Sequence, residues 1–79
     1  MAQIDIKNIY PIAKERNLIQ DKVPATYTIF EKDGKKYFQI DTYGRTGRKN
    51  PEKISQSFQL DKDTARFLVN ILSDQFDLK

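Results

Sequence analysis

Cysteine and histidine are both missing from this chain of 79 residues. Their absence excludes disulfide staples, zinc sites built on Cys and His, and every mechanism with a Cys or His nucleophile or base. Long apolar runs are missing too. No segment approaches the ~20 residues that cross a bilayer, and nothing resembles a signal peptide. The expectation is a soluble, cytoplasmic protein that makes no membrane contact.

What is present fits one small domain, since a chain this short cannot divide into two cores. A chain of this length buries only roughly 60% of its unfolded surface, so it is marginal alone. Small domains are usually helped by disulfides, a metal or a partner subunit. With disulfides and Cys/His metal sites excluded, a homodimer is the remaining stabiliser beside good packing. The net charge is +3 and the isoelectric point about 9.2. A balance this mild is compatible with nucleic acid, and the placement of the charge matters more than its total.

In Ala2 to Lys7, Ile4 and Ile6 alternate with polar neighbours, so the stretch is either a short strand, with Ile4 to Lys7 the candidate fourth, or an extended lead-in. Asn8 can cap a short helix from Ile9 to Asn17, with Pro11 in its first turn. Asp21 to Pro24 is a connector, because Pro24 disfavours helix at Val23. The segment from Thr26 to Tyr43 is a hairpin turning at Asp33-Gly34, where both turn positions need positive φ. That turn sets Lys32 opposite Lys35, Ile29 opposite Phe38, Tyr27 opposite Ile40 and Glu31 opposite Lys36. These apolar pairs mark the core side. Thr28, Phe30, Lys32, Lys35, Tyr37, Gln39, Asp41 and Tyr43 share the other face.

Gly44 to Lys53 holds two glycines, a proline and no large apolar residue, which makes it a loop. Ile54 to Leu60 alternates again and is a third strand. Asp61 is an N-cap, with Asp63 in the first turn of a helix running to about Gln75 or Phe76. Ala65, Leu68, Val69, Leu72 and Phe76 form the stripe expected to close over the sheet. Phe67 and Ile71 widen the apolar surface and are candidate dimer contacts. The predicted class is α+β: a small antiparallel sheet of three strands with a candidate fourth, a C-terminal amphipathic helix and a short N-terminal helix.

No constellation for catalysis emerges, and neither a metal nor a cofactor is expected. Asp33-Gly34-Lys35 has the spacing of some nuclease motifs, but turn geometry alone accounts for it. Gly44 to Lys49 has the wrong glycine spacing for a P-loop, and Asn50 stands where Ser or Thr is needed. Gly44-Arg45-Thr46-Gly47 fits the Gly-x-x-Gly clamp of KH domains, yet that clamp joins two helices and this one lies between strands.

The basic loop is the stronger signal. Arg45, Arg48, Lys49 and Lys53 against Glu52 give it a net charge of +3, equal to that of the whole chain. Arginines beside glycines can reach phosphates bidentately. Phe30, Tyr37 and Tyr43 on the polar sheet face, with Lys32 and Lys35 beside them, suit base stacking. Gln39, Ser55, Ser57 and Gln59 could hydrogen-bond bases or sugars. Should the N-terminal helix cover this face, Phe30 and Tyr37 would instead make a second small core.

The segment Lys36-Tyr37-Phe38-Gln39-Ile40-Asp41-Thr42-Tyr43, then Arg48-Lys49, Ile54 to Leu60 and Asp61 to Leu72, resembles in layout the positive-cofactor-four family of transcriptional coactivators. The likeness covers about the last two-thirds of the chain. It implies a curved sheet that binds single-stranded DNA and carboxy-terminal helices that dimerise. The chain is also similar to short uncharacterised bacterial proteins with a Tyr-Phe-Gln-Ile-Asp-Thr-Tyr-Gly segment.

Two functions follow as expectations. One is a non-catalytic module for single-stranded DNA or RNA. Phe30, Tyr37 and Tyr43 would stack bases, while Lys32, Lys35, Arg45, Arg48, Lys49 and Lys53 would meet phosphates. The alternative is a protein-interaction module, such as a phage or mobile-element inhibitor of a host nucleic-acid enzyme, binding an acidic protein.

Overall fold

A computed structural model describes residues 1–44 and 53–78 of the chain. In chain order the elements are β1 (Ala2–Gln3), a 3-10 turn (Ile6–Asn8), β2 (Ala25–Lys32), β3 (Lys35–Tyr43), β4 (Ile54–Leu60) and α1 (Lys62–Phe76). They build an α+β fold in which four strands lie in the order β1-β4-β3-β2.

The hairpin forms as its turn chemistry dictates. Asp33 and Gly34 have φ of 54° and 77°, the left-handed pair that a two-residue type I′ turn demands. The register follows: Lys32 pairs with Lys35, Phe30 with Tyr37, Ile29 with Phe38 and Tyr27 with Ile40. β4 joins the far side of β3 antiparallel, setting Leu60 beside Phe38, Phe58 beside Ile40 and Ser57 beside Asp41. A register shift at Thr42/Tyr43 brings Tyr43 opposite Ile54. Irregularities of this kind add local twist at a strand end.

The fourth strand exists, but it lies earlier than Ile4 to Lys7 and makes the sheet mixed. Ala2 and Gln3 pair parallel with Phe58 and Gln59, and the Ile4 N–H continues the ladder to the Gln59 carbonyl at 3.0 Å. The N-terminal helical turn is also displaced. Asp5, not Asn8, caps it, accepting from the Lys7 N–H at 3.0 Å and from Asn8 Nδ2 at 2.6 Å. These hydrogen bonds hold the Asp5 carboxyl below its ordinary range, the one from Asn8 contributing most.

No helix spans 9–17. Ile9 is already extended, with φ −123° and ψ 122°, and Pro11 disfavours helical backbone at Tyr10. The stretch from Tyr10 to Pro24 is exposed throughout, so no packing offsets the cost of nucleating so short a helix.

α1 begins at the Asp61 cap, whose carboxylate accepts the Thr64 N–H at 2.9 Å. It ends at Asp77 in the left-handed conformation, with the Asp77 N–H on the Ser73 carbonyl. The helix packs against the 3-10 turn and against β4 and does not close over the sheet. Thr64 is buried, and Phe67 and Leu68 half-buried, while Val69, Leu72 and Phe76 stay exposed. At 100° per residue, Phe67 round to Val69 covers an apolar arc of about 200°, roughly twice the stripe of an ordinary surface helix. One half of that arc meets its own chain. On the other half Val69 is 58% and Phe76 68% exposed.

The expected core side of the sheet is correspondingly open. Tyr27 is 69% and Ile29 59% exposed, and Leu60 is the buried hydrophobic residue among those described.

Candidate nucleic-acid interface

Side chains alternate along a strand, so the hairpin register decides which residues share the face opposite Tyr27 and Ile29. At its turn end Phe30 and Tyr37 stack, with ring centroids 5.5 Å apart and planes at 24°. Both are half-buried, one side of each ring lying against the other, while Lys32 and Lys35 beside them are exposed. The first helix that could have sealed these rings is absent.

Next along the face comes a row of polar groups. Gln59 Nε2 donates to Gln39 Oε1 at 2.8 Å, and Gln39 Nε2 donates to Asp41 Oδ1 at 2.9 Å. Ser57 Oγ donates to the same Asp41 oxygen at 2.5 Å. Asp41 is only 7% exposed, and these two donors compensate a carboxylate that burial would otherwise penalise. Gln39, Ser57 and Gln59 therefore direct much of their hydrogen bonding at one another; Ser55 remains exposed. The in-register pairs Gln39/Gln59 and Asp41/Ser57 were the available sequence signal for this row.

At the far end the Tyr43 hydroxyl bonds Thr26 Oγ1 at 3.0 Å. Six residues of strand separate Tyr43 from Tyr37, or about 20 Å. Lys53 precedes β4, next to the Tyr43 end, and is exposed. Arg45, Arg48 and Lys49 lie outside the described residues. The fold thus gathers Phe30, Lys32, Lys35 and Tyr37 at one end, and Tyr43 and Lys53 at the other, with the acidic Asp41 between.

The reverse face is different in kind. Tyr27 and Phe38 stack there at 5.6 Å and 23°. An open groove of about 770 Å³ runs between this face and the start of α1, lined by Ile29, Phe38, Leu60 and Ala65 with Glu31 and Lys36 at its rim. Of the candidate dimer contacts, Phe67 is half-buried and Ile71 exposed.

Comparison with protein-family models, with curated proteins and with solved structures finds no match. Among the described residues no helix is long and apolar enough to cross a membrane.

Proposed function

We propose that the protein is a small, non-catalytic nucleic-acid-binding module that prefers single strands. The observation that carries this reading is the stacked Phe30–Tyr37 pair, with the exposed Lys32 and Lys35 next to it on the turn side of the same face. Rings offer every base a sequence-tolerant π-face, and flanking cations follow the backbone. Tyr43 extends the same face, and Lys53, exposed just before β4, together with the basic residues Arg45, Arg48 and Lys49 of the sequence between the strands, adds phosphate contacts. The likeness in layout to the positive-cofactor-four family points the same way.

The test is fluorescence anisotropy with a labelled oligothymidine and the matching duplex, titrated at low and moderate salt. Binding to the single strand that weakens steeply with salt supports the reading. No binding at low salt removes it. The second reading, a protein-interaction module, is favoured by the exposed apolar strip of Tyr27 and Ile29 on the reverse face. Homodimerisation is compatible with either reading.

A further inference from the structure

Asp41 is a carboxylate in the middle of the sheet face that carries Phe30, Tyr37 and Tyr43. It is 7% exposed, and no ion pair reaches it among the described residues. Burying a charge without a counterion is costly, and the fold does not ask for one here. An Asn at this position would accept from Gln39 and Ser57 through its own oxygen without that cost. The charge therefore calls for another use.

The hydrogen-bonded row shows where that use lies. A carboxylate only accepts, so Gln39 must turn its amide nitrogen to Asp41 and its oxygen to Gln59. The observed contacts run in this order. Gln39 and Ser57 both donate to Oδ1, which leaves Oδ2 without a partner among the described residues. In that set Thr64 Oγ1 is the unpartnered side-chain atom sealed from solvent, so Oδ2 is not sealed. A carboxylate oxygen thus opens onto the face, and two donors on its neighbour fix its direction. On β3 (Lys35–Tyr43) it stands four residues from Tyr37, about 13 Å, and two from Tyr43. A strand stacked along these rings passes over it.

We infer that Asp41 selects guanine in a bound single strand, Oδ2 accepting from the N1–H and N2–H2 edge of the base. This preference rests on the nucleic-acid reading and names the base that the face favours. In a single strand the Watson–Crick edge is exposed and can be hydrogen-bonded. Guanine sets two donors side by side on that edge. Adenine, cytosine and thymine each place an acceptor next to their donor, and a carboxylate repels it. The rings supply affinity for any base, and Asp41 supplies the discrimination.

Fluorescence anisotropy at low salt with three labelled strands reads the outcome. One is oligothymidine, the second carries isolated guanines in the same strand, and the third has hypoxanthine in place of each guanine. The guanine strand should bind about 10-fold tighter than oligothymidine. Hypoxanthine, which lacks only the N2 amine, should lose most of that gain. Asp41→Asn should bring the ratio of guanine to thymine affinity near one. Equal binding of the guanine and thymine strands overturns the guanine preference and leaves the nucleic-acid reading standing. No binding of any strand overturns both. A preference undiminished in Asp41→Asn overturns the assignment to this residue. Should circular dichroism show that variant unfolded, the hypoxanthine strand decides. Binding as tight as guanine overturns the proposal, and binding near the oligothymidine level supports it.

Discussion

Phe30 and Tyr37 face each other across the β2–β3 ladder, so their rings stack directly above a backbone pair. If they carry base stacking, Tyr37→Ala should weaken single-strand binding by about 1–3 kcal/mol per base lost. Tyr37→Phe keeps the π-face and should bind nearly as well. The salt dependence should not change with either, because no phosphate contact is removed. Lys32→Ala, by contrast, should lower the salt slope by about 1. Anisotropy at several salt concentrations, below the melting temperature of every variant, separates the two roles.

Gly34 has φ of 77°, and a Cβ built there would meet nothing within 4 Å. The cost of Gly34→Ala is therefore purely one of backbone conformation, about 1–2 kcal/mol. Urea unfolding should show a lowered midpoint with an unchanged slope. A loss well below this would mean that the turn relaxes to another type and the hairpin register is less firmly set than its pairing indicates.

Ser57→Ala removes the shorter of the two hydrogen bonds to Asp41. Bonds to a charged, buried acceptor contribute about 1.5–3 kcal/mol, and the remaining Gln39 donor should hold the loss near the lower figure. Ser55→Ala, an exposed serine on the same strand, should stay within about 0.5 kcal/mol of wild type. Equal effects from the two serines would show that the Asp41 row contributes nothing to folding.

Local chemistry made the hairpin legible. Asp33-Gly34 admits a single turn family, and a two-residue turn leaves no freedom in the pairs behind it. The Asp61 cap was legible for the same reason, since the carboxylate and its N–H partner lie three residues apart. The N-terminal segment was harder to read, because Asn8 and Pro11 fit a helix start as well as the end of a 3-10 turn begun by Asp5. Only tertiary contact could decide, and the stretch after Ile9 makes little. The sheet's covering was misread for a related reason. The apolar stripe Val69–Leu72–Phe76 is a correct feature of α1, but periodicity reports that a face needs burial and not what buries it. The Phe30–Tyr37 pair followed directly from register, whereas Tyr27 stacks on Phe38 diagonally, its register partner being Ile40. The hydrogen-bonded row around Asp41 needed attention to cross-strand polar pairs as well as to apolar ones.

Asp61 caps α1 and accepts the Thr64 N–H at 2.9 Å. Its carboxyl is held below the ordinary aspartate range, chiefly by the Thr64 backbone N–H. A carboxylate at a helix N-terminus also complements the helix dipole. Because the folded-state value is the lower one, the stabilisation is complete above the ordinary value, near 4. It is lost as pH falls through the depressed folded value. Asp61→Ala should therefore cost about 1 kcal/mol at neutral pH, lowering the melting temperature by about 4–8 °C. The gap should narrow progressively on acidification below pH ~4. Asp61→Asn keeps an acceptor for the Thr64 N–H and should retain most of the stability at pH 7, without the acid-dependent part. Thermal melts of the three proteins at matched concentration, from neutral pH down to the acid range, measure both effects. Holding concentration fixed matters because self-association would make every melting temperature depend on it. An Asp61→Ala deficit that stays constant across that range would place the cap's contribution in side-chain packing and not in its charge.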